Sequence, residues 1–143
     1  EVLEIRVANF DMATAETEMS LLLEEYGDQV EVVIANNDAM AIGAINTLVE
    51  EEYFVDANNN DNIDRDTETW LPVIGIDGLE ASIDLIDRGY LYGTVINDSE
   101  SMAKAIVALA NAIVNELDIT TLDYEIINNK YIWIEYQKYT NED

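Results

Sequence analysis

The sequence predicts an α/β fold: a doubly wound, mostly parallel sheet with a C-terminal β-hairpin. Three observations predict it. Four apolar runs of strand length each give way to a segment with helically spaced apolar residues, the pattern of parallel strands joined by helical crossovers. The four runs end at Phe10-Asp11, Asn36-Asn37-Asp38, Asp77 and Asn97-Asp98, one aromatic ring among short amides and carboxylates. The tail then changes character, with two short apolar runs flanking Asn128-Asn129-Lys130, as in a hairpin.

The elements follow in order. Val2, Leu3, Ile5 and Val7 make the first strand, which ends at Asn9-Phe10-Asp11. Asp11 is the expected N-cap of a helix whose apolar positions are Ala15, Met19, Leu22 and Leu23, and Gly27 stops it. The second strand spans 30–35. Its unbroken Val32-Val33-Ile34-Ala35 run reads as buried on both faces. Asp38 starts a helix carrying Met40, Ile42, Ile45, Leu48 and Val49 and reaching Glu52. The third strand, 71–76, tolerates Pro72 near its start and ends at Asp77. A helix over 79–87 stops at Gly89, and Asp77 stands three residues before Glu80, the spacing of a capping box. The fourth strand is 91–96. A long helix over 99–116 carries Met102, Ala105, Ile106, Leu109, Ala110, Ile113 and Val114. The hairpin occupies 124–136, with Tyr124–Ile127 and Tyr131–Ile134 as its arms.

At 143 residues the chain is long enough for one domain with a real core. Its charge narrows the function. Thirty-one acidic residues face 6 basic ones, for a net charge of -25. That balance argues against nucleic acid and against anionic membrane surfaces. No apolar run reaches the length of a membrane span, so no insertion is expected. The absence of cysteine excludes disulfides and thiolate sites, and the absence of histidine removes the commonest general base and zinc ligand. The chain begins at Glu1 with neither a methionine nor a signal segment, and a piece of a longer precursor is expected.

Parallel strands bring their carboxyl ends to one edge, where open α/β sheets bind ligands. Asn and Asp at such places are first of all ordinary helix caps. Capping accounts less well for the doubled Asn36-Asn37 and Asn97-Asp98. A polyol accounts for them better. Its hydroxyls both donate and accept, Asp accepts, Asn does both, and an aromatic ring covers the apolar face of a sugar. Phe10 supplies the ring; its plainer reading is a core aromatic at a strand end.

Three stretches carry a more specific message. Glu31–Ala41, Ile74-Gly75-Ile76-Asp77 and Gly93–Asp98 strongly resemble the bacterial galactose/glucose-binding family of type I periplasmic solute-binding proteins, the receptors of sugar ABC importers. The motifs occur in order and at compatible spacing. The resemblance implies that the chain is the second, C-terminal lobe of such a receptor (a periplasmic-binding-protein-like I fold), about the last half of the mature protein. Residues 97–116 would then cross the hinge. It implies that Phe10 stacks on the pyranose and that Asn37, Asp77 and Asn97 hydrogen-bond its hydroxyls. Phe10 stands where the family has Trp, so the stacking face is smaller and lacks the indole donor. Further second-lobe ligands of the family, a histidine and an arginine, would precede Glu1. The implied partners are a monosaccharide, an N-terminal lobe and the membrane subunits of the importer. The implied location is periplasmic or extracellular, with a lipid anchor in a Gram-positive host. The helix over 99–116 should either cover Ile106, Leu109 and Ile113 with the hairpin or leave them as an exposed apolar patch.

One loop stands apart. Asp56, Asn58, Asn60, Asn62 and Asp64 alternate, with Ile63 at the eighth position, approaching the pattern of a calcium loop. Position six is Asp61 where that pattern has Gly, and Glu68 comes one residue late; the plainer reading is a solvated turn. The resemblance places the family's calcium loop before Glu1 and matches its distant glutamate with Glu31, here an orphaned ligand. Calcium is thus the one cofactor expected, at the Asp56 loop. The alternatives are a calcium-binding interaction domain, or a glycosidase using Asp11, Asp38, Asp77 or Asp98. The sugar-sensing core of a transcriptional regulator shares the fold, but the chain lacks a DNA-binding head.

Overall fold

The computed structural model describes residues 1–128 and 130–141. The chain divides into two compact units, one made of Glu1–Ile96 with the chain from Lys138, the other of Asn97–Gln137.

The first unit is built on parallel strands. β1 (Val33–Ile34) pairs with β2 (Val73–Asp77), which pairs with β3 (Gly93–Ile96). Helix α1 (Met12–Tyr26) precedes β1, α2 (Asp38–Glu50) crosses from β1 to β2, and α3 (Glu80–Asp87) from β2 to β3. The expected α/β fold with a mostly parallel sheet is therefore present. Register places Val33, Val73, Gly75 and Thr94 on one face, which α2 covers; Val73 is fully buried there. The opposite face carries Ile34, which is exposed, and Ile74, Ile76 and Val95, which are half-buried. The core joins Leu48 and Ile45 of α2 to Ile86 of α3 and to Leu71, Leu91 and Phe54 from the connections.

Two strand expectations need correction. Residues 2–7 form no ladder, and Val2, Ile5 and Val7 are exposed. Their β-branched composition suits a strand, but a strand exists only where a neighbour accepts its hydrogen bonds, and none is paired there. The second strand shrinks from 30–35 to two residues. Val30 instead closes the 3₁₀ turn Gly27–Gln29, and β1 has a partner on one side only. The third and fourth strands begin at Val73 and Gly93, two residues later than expected. A further strand was not foreseen: β6 (Gln137–Thr140) adjoins β3 in the sheet.

Helix α1 lies along α2. The Glu16 side chain accepts from Asn46 Nδ2 (2.7 Å) and the Glu16 carbonyl from Thr47 Oγ1 (3.1 Å). Nearer the start, a Cβ on Gly43 would overlap the Met12 carbonyl, so the close approach requires glycine. Residues 12 and 43, then 16 and 46–47, are neighbours, so the two helices run in the same direction.

In the second unit α4 (Ser99–Val114) leads to the hairpin strands β4 (Ile126–Ile127) and β5 (Tyr131–Ile132), which pair antiparallel. Of the expected turn, Asn128 has positive φ (52°) and Lys130 N–H donates to the Ile127 carbonyl; Asn129 lies outside the described residues. Helix α4 buries only Ala105 and Ala112. Of the three residues expected to need cover, Ile106 and Ile113 are exposed and Leu109 is half-buried; Val107 and Val114 are exposed as well. Among the described residues no helix is long and apolar enough to cross a membrane.

Candidate functional site

The strand ends of the first unit are built around a carboxylate that caps a helix other than its own. Asn37, not Asp38, is the N-cap of α2: its side-chain oxygen accepts from Met40 N–H at 3.0 Å. Asp38 is the first helical residue, with none of its surface exposed. Its Oδ1 accepts from Thr94 Oγ1 (2.7 Å), and its Oδ2 from the amides of Gly78 (2.9 Å) and Leu79 (2.8 Å). These are the amides of the two residues that lead into α3, whose N-cap, Leu79, has no capping side chain of its own. The capping box expected from Asp77 and Glu80 is thus replaced by Asp38 of α2. A buried carboxylate costs free energy unless its oxygens are occupied, and here three donors occupy them.

Sequence reasoning missed this role for Asp38, although one signal was available. Gly75 sits in the middle of β2, and a Cβ there would collide with Asp38 Oδ1. A glycine inside a strand marks close approach, here of the carboxylate to the strand backbone. Thr94, opposite Gly75 in register, is buried for the same reason.

The candidate ligand residues take up unusual backbone. Asn9 and Phe10 have φ of 52° and 59°, and Asp11 N–H donates to the Ala8 carbonyl at 2.9 Å. Successive left-handed central residues define a tight turn of the type I′ kind. Asn accepts such geometry; a bulky aromatic is an outlier there. The turn leaves Phe10 67% exposed, so the core-aromatic reading does not hold. Asp11 then caps α1, accepting from Thr14 N–H (2.8 Å) and Thr14 Oγ1 (2.7 Å). The Thr14 hydroxyl and then its amide hold the Asp11 carboxyl below the usual carboxylate range. Asp77 has φ 131°, outside even the left-handed helical region, and Gly78 follows at 76°. Non-glycine residues persist in such conformations where the surroundings over-determine them, a condition concentrated at functional sites.

Asn37 and Asp77 are brought together through the bond from Gly78 N–H to Asp38. Phe10 arrives by another route. Because α1 and α2 run in the same direction, Phe10 and Asn37 precede the same ends of the two helices, the ends next to the strand termini. Asn97 opens the second unit and directly follows β3. Its carbonyl accepts from Ser99 N–H (2.7 Å), while Asp98 caps α4 by accepting from Ser101 N–H (2.9 Å). One exposed ring and half-buried amide and carboxyl groups can do what a polyol site needs: cover an apolar face and exchange hydrogen bonds with hydroxyls.

The Asp56 loop uses its polar groups on itself. Asp56 accepts from the amides of Asn60 and Asp61. Asp64 accepts from Asp66 N–H (3.1 Å) and Thr67 Oγ1 (2.7 Å). Asn60 Oδ1 accepts from Asn62 N–H, and Asn62 Nδ2 donates back to the Asn60 carbonyl. Glu68 gathers the turn, accepting from Ala57 N–H and Asn58 Nδ2 through one oxygen and from Asp64 N–H through the other. Ile63 is buried, and Arg88 and Arg65 tie the loop to its surroundings through the Asp61 and Gly89 carbonyls. Among the described residues no three acidic side chains come together as a cation cage, and Glu31 is exposed.

The comparisons agree with this architecture. The periplasmic binding protein domain family matches residues 1–117. The D-galactose/methyl-galactoside binding periplasmic protein of Haemophilus influenzae is 34% identical over 112 residues, which are 78% of this chain and 29% of that protein. A xylitol-binding protein of Mycolicibacterium smegmatis is 28% identical over 121 residues, 85% of this chain and 30% of the relative. Among solved structures, an ABC transporter solute binding protein from Bacillus halodurans with bound myo-inositol superposes with a TM-score of 0.71 at 27% identity, covering 99% of this chain and 41% of that one. All three are binding proteins by description, and the chain spans less than a third of the length of the two curated relatives. With a family match over most of its length, and a parallel α/β sheet whose strand ends carry half-buried amide and carboxyl groups, the chain belongs to the periplasmic binding protein domain family.

Proposed function

We propose that the chain is a sugar-binding lobe of an extracytoplasmic solute-binding protein that serves an ABC sugar importer, with galactose or glucose as its ligand type. The observation that carries this reading is the conformational strain at Phe10 and Asp77. The chain holds an aromatic ring and a carboxylate in backbone conformations that neither favours, at the edge where Asn37 also emerges. In this reading Phe10 stacks on the pyranose, and Asn37 and Asp77 bind hydroxyls. Asn97 is assigned the same task on the strength of the sequence motif alone. The partners are an N-terminal lobe and the membrane subunits of the importer, and the location is outside the cytoplasmic membrane. The galactoside-binding relative supports the sugar class. The xylitol and myo-inositol ligands of the other two keep wider polyol recognition in view.

Calorimetry of the 143-residue chain against D-galactose, D-glucose, xylitol and myo-inositol tests the reading. One wall of a cleft should bind weakly, with a Kd on the order of millimolar. Heat with galactose or glucose that disappears in Phe10→Ala supports it. Silence toward all four compounds, or heat that Phe10→Ala leaves unchanged, removes it.

A further inference from the structure

Asp38 is the one acidic side chain with no exposed surface among the described residues, and capping its own helix does not explain it, because Asn37 already does that. One of its oxygens is spent on a turn 40 residues away and the other on the Thr94 hydroxyl. We infer that Asp38 is the positioning residue of the site: it never meets ligand, and it fixes the separation between the Asn37 and Asp77 side chains. The inference rests on the sugar-binding reading for what those two side chains do, and on geometry alone for how they are held.

The geometry is as follows. The Gly78 N–H belongs to the peptide that joins Asp77 to Gly78. Holding that N–H on Asp38 Oδ2 fixes the peptide plane and with it the ψ of Asp77. The second bond, from Leu79 N–H, fixes the next peptide. Two successive positive-φ residues, Asp77 at 131° and Gly78 at 76°, are thereby kept in a conformation that an unsupported turn would leave. At the other end, Asp38 is covalently next to Asn37. Two peptide bonds, Asn37–Asp38 and Asp77–Gly78, and one hydrogen bond therefore separate the two proposed hydroxyl ligands. Thr94 supplies the remaining constraint: its hydroxyl donates to Oδ1 and sets the rotation of the carboxylate, over the space that Gly75 leaves open. The start of α2, the end of β2 and β3 thus meet on one side chain.

Amide hydrogen exchange and calorimetry on the 143-residue chain test this together. In Asp38→Ala, protection of the Gly78 and Leu79 amides should fall by about tenfold or more relative to that of core amides such as Leu48, since two bonds to a buried carboxylate are lost. Affinity for D-galactose should fall by about tenfold with them. Asp38→Asn retains an oxygen for both amides and presents an NH₂ that Thr94 Oγ1 can accept; it should keep protection and affinity within about threefold of the parent, a rescue that a general loss of packing does not give. If Asp38→Ala does not fold, Thr94→Val carries the test. It removes the donor to Asp38 Oδ1 and the second, longer acceptor of Gly78 N–H (3.4 Å), and a several-fold loss of protection confined to Gly78 and Leu79, and reaching Leu79, is expected. Unchanged protection at those amides in a folded Asp38→Ala, or in Thr94→Val when Asp38→Ala fails to fold, overturns the positioning role. So does a folded Asp38→Ala that loses protection there yet binds galactose as the parent does. If the parent chain gives no heat with galactose, the sugar reading fails by itself, and amide protection still decides whether Asp38 holds the Asp77 turn.

Discussion

Two regions of this molecule are made from the same few residue types and put them to opposite uses. At the strand ends, one fully buried carboxylate holds the backbone, and neighbouring polar groups and a ring are left presented at the edge. In the Asp56–Glu68 loop, Asp56, Asp64 and Glu68 all turn inward on amides of the same loop. The difference teaches that composition alone does not set what a carboxylate holds. A carboxylate out of water must be fully satisfied, so it imposes one geometry on what surrounds it. Carboxylates in a partly hydrated turn satisfy local amides at modest net gain, because water competes for both partners.

The largest effect should separate the two regions directly. Asp38→Ala leaves the Leu79 amide and the Thr94 hydroxyl without their acceptor in a dry place, and the Gly78 amide with only the 3.4 Å bond to Thr94 Oγ1, and should lower unfolding free energy by about 3 kcal/mol. Glu68→Ala removes three hydrogen bonds from a partly hydrated loop, and about 1 kcal/mol is expected. Urea melts of the two variants against the parent measure the gap. Equal losses would mean that the loop is as integral to the fold as the strand-end network. Calcium added to the Glu68→Ala and parent melts tests the remaining proposal for the loop. A calcium-binding loop gains stability with concentration by mass action, and the gain should vanish in Asp56→Asn.

Backbone strain sharpens the contrast next. Asp77 stands at φ 131°, whereas Asn59 and Asp61 of the acidic loop stand at 58° and 63°. The loop values fall in the left-handed helical region that Asn and Asp accept through local hydrogen bonding. The Asp77 value is one that glycine alone adopts freely. Asp77→Gly should therefore stabilise the chain by about 1 kcal/mol while abolishing the heat of galactose binding. Asn59→Gly should change neither by a measurable amount. A stability gain at Asp77 paired with lost binding is the signature of strain kept for function. A loss of stability at Asp77 would show that its carboxylate serves the fold.

Much of the fold was legible because alternation of apolar runs and helical periods is a local signal. β2, β3 and all four helices stand within a few residues of where spacing put them. What was not legible is what depends on neighbours. Val2–Val7 has the composition of a strand and no ladder, and Gln137–Thr140 has no strand signal and joins the sheet. At the site, Asn37 and Asp77 could be named from strand ends, but the bond that links them spans 40 residues of sequence. Its trace was a single glycine in β2. The strain at Phe10 and Asp77 left no trace in the sequence at all, since backbone angles at non-glycine residues are set by the surrounding structure.

The smallest effect distinguishes the regions by pH. Asp11 beside the strand ends and Asp64 in the loop are both exposed, and both carboxyls are held below the usual carboxylate range first by a threonine hydroxyl, Thr14 or Thr67, and then by a backbone amide, that of Thr14 for Asp11 and that of Asp66 for Asp64. A depressed folded-state pKa contributes stability that is fully present above the unfolded value, near 4, and is lost as pH falls through the folded value. Thr14→Val and Thr67→Val should each move the matching carboxyl back toward its ordinary value, read by NMR titration of the side-chain carbons, and flatten the acid limb of the stability curve. The two shifts need not have equal consequences. Asp11 caps the helix that Phe10 directly precedes, so its protonation should fray the start of α1 and broaden the Phe10 ring resonances. Protonation of Asp64 should disturb the amides of Asp66 and Thr67 and leave Phe10 unmoved. If acid disturbs Phe10 equally in Thr14→Val and in the parent, the ring is held by something other than the Asp11 cap.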